Sequence, residues 1–202
     1  MEVKRNWLLV ITKVVIDIAL CFVMISSVIT FFNITKRFKG IDYSISIPVV
    51  MSNTLERYYP THEVKDGRIT MNAHFGTARV DTYNPYPELL TIIEYVLTQL
   101  LVIAILYNLR KIFLKFYHHQ PFDYKNITRI KIIALYLSLL WVKHIIYSLI
   151  TYSYFINYEL ASKFRWRWDF NIRGIVIAAI VYIVAEVFKY GFELKKENEE
   201  FV

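Results

Sequence analysis

The chain has 202 residues, 56% hydrophobic and 17% aromatic, with only 20% charged and a formal net charge of +7 at pH 7. That apolar content is above the usual soluble composition, and much of it is gathered into four runs for which a water-soluble domain of this length has no use. The positive charge flanks apolar runs, which points to head-group anchoring and away from direct nucleic-acid binding.

The first apolar run covers residues 7–32, and about 20 apolar residues suffice to cross ~30 Å of hydrocarbon. Lys4 and Arg5 precede it, as in a signal peptide. The run is nevertheless longer than an h-region of about 7–15 residues, contains Lys13 and Asp17, and lacks a small-residue exit, so an uncleaved first span is expected. Cys21 lies inside this run as the single cysteine. Within one chain it can form no disulfide and no Cys-based zinc site.

Residues 33–87 form the only sizeable polar connection and are expected to be a β-rich extracytoplasmic loop. Asp42–Met51 alternates polar and apolar residues until Pro48 interrupts it, as a strand with an edge or kink would. Asp66-Gly67 is a turn signal, and Arg68–His74 with Thr77–Tyr83 predicts two short strands around Gly76. Asn84-Pro85-Tyr86-Pro87 then marks the return to the membrane.

A second run covers 89–114, a third 132–156 and a fourth 174–190. The connection between the second and third carries Arg110, Lys111, Lys115, Lys125, Arg129 and Lys131 against one acid, Asp123. By the positive-inside rule it is cytoplasmic, which puts both termini in the cytoplasm. Pro121 and Phe122 break the chain there, and Asp123 is placed to cap the next helix. In the third connection Lys163, Arg165, Arg167 and Arg173 alternate with Phe164, Trp166 and Trp168, which predicts an aromatic-basic belt at the outer interface. Residues 191–202 form a charged cytoplasmic tail, whose stretch to Glu200 can continue the fourth helix. The expected fold is all-α: a single domain of four transmembrane helices, with the β-rich loop between helices one and two, in a bacterial cytoplasmic membrane.

The segment Gln120-Pro-Phe-Asp-Tyr-Lys-Asn126 resembles the PF-x-x-x-N connection of a bacterial membrane-protein family, domain of unknown function 2975. The tail resembles it too, through Ala185-Glu186-Val187-Phe188-Lys189-Tyr190-Gly191-Phe192-Glu193-Leu194 and then Glu197-Asn198-Glu199. The resemblance rests on Pro121, Phe122, Asn126, Glu186, Gly191, Glu197 and Asn198, and the order of spans, loop and tail agrees. It implies a four-span fold and, because many such proteins are encoded beside a small helix-turn-helix regulator, a cytoplasmic partner of that kind. It implies no activity.

Ionisable groups inside a span are costly and are functional candidates by default. Here they are Lys13, Asp17, Glu94, Lys143, His144 and Glu186. Asp17 lies about 15 Å past Trp7, near mid-membrane. One expectation pairs Asp17 with Lys143 across the bundle, with His144 and Glu94 beside them as a protonatable network. A plainer one neutralises Lys13 with Asp17 and Glu186 with Lys189, each within one helix.

Other chemistry is weak. His118-His119 with Asp123, or His62 with His74, lacks the pattern of a metal site, and no metal or cofactor is expected. Nucleophile elbow, zincin and phosphate-loop motifs are missing, so the chain is not expected to be an enzyme. The leading expectation is a sensor or regulatory partner of a cytoplasmic protein, possible also as a homo-oligomer. The alternative is a small oligomeric transporter or ion-conducting subunit using Asp17, Glu94, Lys143 and His144.

Overall fold

The computed structural model describes residues 7–37, 43–51, 62–64, 67–72, 77–82, 85–117, 123–157, 164–167 and 172–200. Four helices hold most of them: α1 (Trp7–Arg37), α2 (Tyr86–Tyr117), α3 (Tyr124–Asn157) and α4 (Arg173–Glu200). All four are long and apolar enough to cross a membrane. A helix bonds its own backbone groups, which hydrocarbon cannot do for it. The chain is a multi-pass membrane protein, and side chains such as Phe22, Ile183 and Val187, all more than 60% exposed, face lipid.

Local chemistry sets the helix starts. Pro87 stands in the first turn of α2, where its missing N–H costs no intrahelical bond. Leu89 N–H reaches back to the Pro85 carbonyl at 3.0 Å, and Pro87 is fully buried. At α3, Asp123 is the cap: its Oδ1 accepts from Lys125 N–H at 3.1 Å and its backbone carbonyl from Asn126 N–H at 2.8 Å. At its far end, α4 runs beyond the apolar residues to Glu200, with exposed i,i+4 pairs Lys189–Glu193, Lys195–Glu199 and Lys196–Glu200 along it.

The strands are β1 (Tyr43–Met51), β2 (His62–Val64), β3 (Gly67–Asn72), β4 (Thr77–Thr82) and β5 (Phe164–Trp166). They make one five-stranded sheet in the order β2-β3-β4-β1-β5, antiparallel at every pairing. Three strands coincide with the alternating segments of the first connection. Asp42, Asp66, His74, Gly76 and Tyr83 lie outside the described residues.

β5 corrects the sequence reading. Phe164, Arg165 and Trp166 were expected only as an interfacial belt, yet they pair with Met51, Val50 and Val49 of β1. The sheet is therefore not confined to the connection between α1 and α2. Pro48 explains where β1 changes partner. Residues 43–48 pair with β4 and 49–51 with β5, so the residue without an N–H sits at the changeover. Its carbonyl still accepts from Arg167 N–H at 3.4 Å. Trp166 packs its ring edge-on against Tyr152 and Phe155 of α3, with centroids 5.3 and 5.5 Å away.

The chain divides into two compact units. The first comprises Met1–Ile29, Thr98–Trp141 and Ile172–Val202. Its core is Ile112, Ile130, Ile133 and Ala185, with Phe116 and Phe188 against it at a ring distance of 5.9 Å. Small residues let α4 approach closely: Ala185 is fully buried, and a Cβ at Gly174 would lie 3.3 Å from Trp141 Cδ1. The second unit comprises Thr30–Leu97 and Val142–Asn171, and contains the sheet, in which Ile47 and Val49 are fully buried.

Candidate functional site

Four of the intramembrane charges, Asp17, Glu94, Lys143 and Glu186, enter ion pairs, each between helices adjacent in sequence. In the first unit Arg110 Nε of α2 donates to Asp17 Oδ1 of α1 at 2.6 Å. There too Lys131 Nζ of α3 lies 2.8 Å from Glu186 Oε1 of α4 and 5.5 Å from the centre of the Tyr182 ring. In the second unit Lys143 of α3 donates to Glu94 of α2. A further pair, Lys115 Nζ to Asp123 Oδ2 at 3.1 Å, ties the end of α2 to the start of α3.

Neutral rungs accompany these pairs. Ser27 Oγ donates to Gln99 Oε1 at 3.3 Å, and Tyr95 Oη donates to Thr30 Oγ1 at 2.9 Å. Thr91 and Tyr147 hydroxyls lie 3.5 Å apart, one turn from Glu94 and Lys143. As α1 rises from Asp17 to Ser27 its partners on α2 fall from Arg110 to Gln99, which is the register of an antiparallel pair. The α2–α3 contacts (94 with 143, 91 with 147) and the α3–α4 contacts (131 with 186, 141 with 174) run the same way.

These partners correct the sequence expectations. Asp17 does not pair with Lys143: it takes Arg110, Lys143 takes Glu94, and the two residues fall in different compact units. Nor is Lys13 the partner of Asp17; the ion pair of Glu186 is with Lys131, while Lys189, 3.7 Å from Glu193, acts on Glu186 only through its field. The physical reason is helix length. Arg110 and Lys131 looked like connection residues, but α2 continues to Tyr117 and α3 starts at Tyr124, so both cations lie about 10 Å inside their helices. The count of connection charges takes in Arg110 although the second apolar run, 89–114, already extends past it, and Ile127 and Ile130, which precede Lys131, lie outside the third run, 132–156.

His144 is half-buried on α3 beside Lys143, and Lys13 is half-buried on α1. Of the family-like residues, Asn126 is fully buried and accepts from Arg129 Nη1 at 3.2 Å. Gly191 is half-buried on α4, Glu197 and Asn198 are exposed near its end, and Pro121 and Phe122 lie outside the described residues. Among the described residues, no group of three or more His, Cys, Asp or Glu is arranged to hold a metal ion. His118, His119 and His74 are outside that set, as is the side chain of His62.

A family model described as a protein of unknown function, DUF2975, matches residues 71–202, well over half of the chain. The chain belongs to the DUF2975 family. No curated protein and no solved structure matches it. The matched region of this DUF2975 protein begins in β3 and includes α2, α3 and α4, hence both the Glu94–Lys143 and the Lys131–Glu186 pairs. α1, with Asp17, precedes it.

Proposed function

We propose that this DUF2975 protein is a non-enzymatic sensor or regulatory partner in a bacterial cytoplasmic membrane, with both termini in the cytoplasm. The observation that carries the reading is the consumption of intramembrane charge: Asp17, Glu94 and Glu186 each hold a cation from a neighbouring helix. Charges tied up in this way brace helices against each other and are poorly placed to pass an ion. Outside the spans the chain offers the sheet and the charged, exposed end of α4. The sheet would meet an envelope ligand or partner, and the tail and the α2–α3 connection would engage a cytoplasmic protein. A small helix-turn-helix regulator is the partner suggested by the family. The orientation is supported by the six Lys and Arg residues between Arg110 and Lys131.

Purification of the tagged chain in mild detergent from its native host tests this. A regulator is expected to co-purify and to be lost when α4 is truncated after Tyr190. Repeated recovery of the chain without any such protein would remove the regulatory reading. A second reading, a transport subunit, draws on the Glu94–Lys143 pair beside His144. It requires liposome flux that Glu94→Gln abolishes.

A further inference from the structure

We infer that Lys125 and Arg129, at the start of α3, form a binding site for the phosphate of an anionic phospholipid head group. The inference starts from which cations at this end of the protein already have an anion. Arg110 holds Asp17, Lys115 holds Asp123, and Lys131 holds Glu186. Lys125 and Arg129 stand outside this accounting. Neither has a carboxylate within ion-pair distance among the described residues. Lys125 is exposed; its backbone N–H bonds Asp123, and its ammonium, beyond ion-pair distance, acts on that carboxylate only through its field.

Arg129 is held in place without being neutralised. Its Nη1 donates to Oδ1 of Asn126, which has no exposed surface and is itself fixed by its backbone bond to the Asp123 carbonyl. A neutral amide fixes the direction of the guanidinium but leaves its full charge, and four of its five N–H donors, for another acceptor. Four residues apart, Lys125 and Arg129 share one face of the helix. A planar fork beside a point charge is a good match for a phosphate diester.

Position decides the source of the phosphate. Both residues lie within about 8 Å of the start of a spanning helix, beside Tyr124, which is 66% exposed. Tyrosine at such a level marks the head-group layer. The phosphates present there at high density belong to lipids, whereas free phosphate is depleted by the negative surface potential of an anionic leaflet.

The test uses the full-length protein in nanodiscs of phosphatidylcholine doped with phosphatidylglycerol, released gently and read by native mass spectrometry. Wild-type protein is expected to retain phosphatidylglycerol in preference to phosphatidylcholine. Lys125→Gln/Arg129→Gln is expected to lose that preference about tenfold, the equivalent of ~1.4 kcal/mol. Lys195→Gln/Lys196→Gln, with the same loss of charge at the exposed end of α4, is expected to keep it. Should the double variant not fold, Lys125→Gln alone, at an exposed side chain, is expected to lower retention about threefold, a difference of under ~1 kcal/mol. Unchanged retention in a folded Lys125 or Arg129 variant overturns the inference. Equal loss in the Lys195/Lys196 variant overturns it in favour of diffuse charge attraction. Displacement of the lipid by inorganic phosphate alone overturns it in favour of a free-anion site.

Discussion

At the scale of single residues, lipid rather than water sets the energetics. A charge deep in a span costs about 2.5–3.5 kcal/mol on insertion scales, so a lone Lys143, whose side chain is only 13% exposed, would be a serious liability. Its partner Glu94 converts that liability into a link between α2 and α3. Glu94→Gln should therefore destabilise the protein by about 3–5 kcal/mol, because it removes the carboxylate that Lys143 faces. Adding Lys143→Met should restore much of the loss, since removing both charges costs far less than removing one. Thermal unfolding of the two single variants and the double variant in detergent measures this coupling. A double variant as unstable as the sum of the singles would mean that the pair contributes nothing. Asp123 is a milder case, outside the spans. The Lys125 backbone N–H, and after it Lys115, hold its carboxyl below the ordinary 3.8 against the opposing effect of burial. A depressed folded-state pKa gives stability that is complete above the unfolded value and is lost as pH falls through the folded one. Asp123→Ala should cost about 0.5–2 kcal/mol at neutral pH. Asp123→Asn keeps a capping oxygen but not the ion pair, so the gap between it and wild type should close as the medium is acidified below that range. A gap independent of pH would show that the carboxylate charge is not what matters.

At the scale of elements, the helices were legible and their partners were not. Length and apolarity alone specify a membrane helix, because hydrocarbon imposes the same requirement at every position along it. Pairing is a different kind of information. Whether Asp17 meets Arg110 or Lys143 depends on how the helices register, and Arg110-Lys111 counts among the connection charges even though the apolar run continues past them to residue 114. Asp123 was readable as a cap because capping is local, decided by a bond to the second residue of the helix. β5 was unreadable for the opposite reason. Its three residues pair with a strand more than a hundred positions earlier in the chain, and alternating aromatic and basic residues suit a lipid interface equally well. The register Val50↔Arg165 gives a direct check. In a Cys21→Ser background, Val50→Cys with Arg165→Cys should form a disulfide on mild oxidation, since residues opposite each other on antiparallel strands have Cβ atoms about 4.5–5.5 Å apart. A cleavage site inserted between α2 and α3 makes the link visible as two fragments that part only on reduction. Fragments that separate without reductant would break the β1–β5 pairing.

For the whole molecule, the sheet and the spans constrain one another. β1 precedes α2 and β5 follows α3, so the two strands can pair only if an even number of crossings lies between them. Two spanning helices satisfy that condition, and the first and third connections then share one side of the membrane. Should α1 and α4, as proposed above, each cross once more, both helix ends Trp7 and Glu200 are expected on the opposite side. This parity follows from the helices and the strand pairing and does not depend on which side is the cytoplasm. Single cysteines placed in the Cys21→Ser background at Ser46, Lys125, Arg165 and Glu197, all exposed in the structure, report it through a membrane-impermeant thiol reagent. Positions 46 and 165 are expected to react together from one face, and positions 125 and 197 together from the other. With the orientation proposed above, intact cells label the first two, and the second two become reactive only after the membrane is opened. Reversal of both sets would invert the orientation while leaving the fold intact. Reaction of positions 46 and 165 from opposite faces would instead require an odd number of crossings between them, and neither the five-stranded sheet nor the four-span topology could then stand.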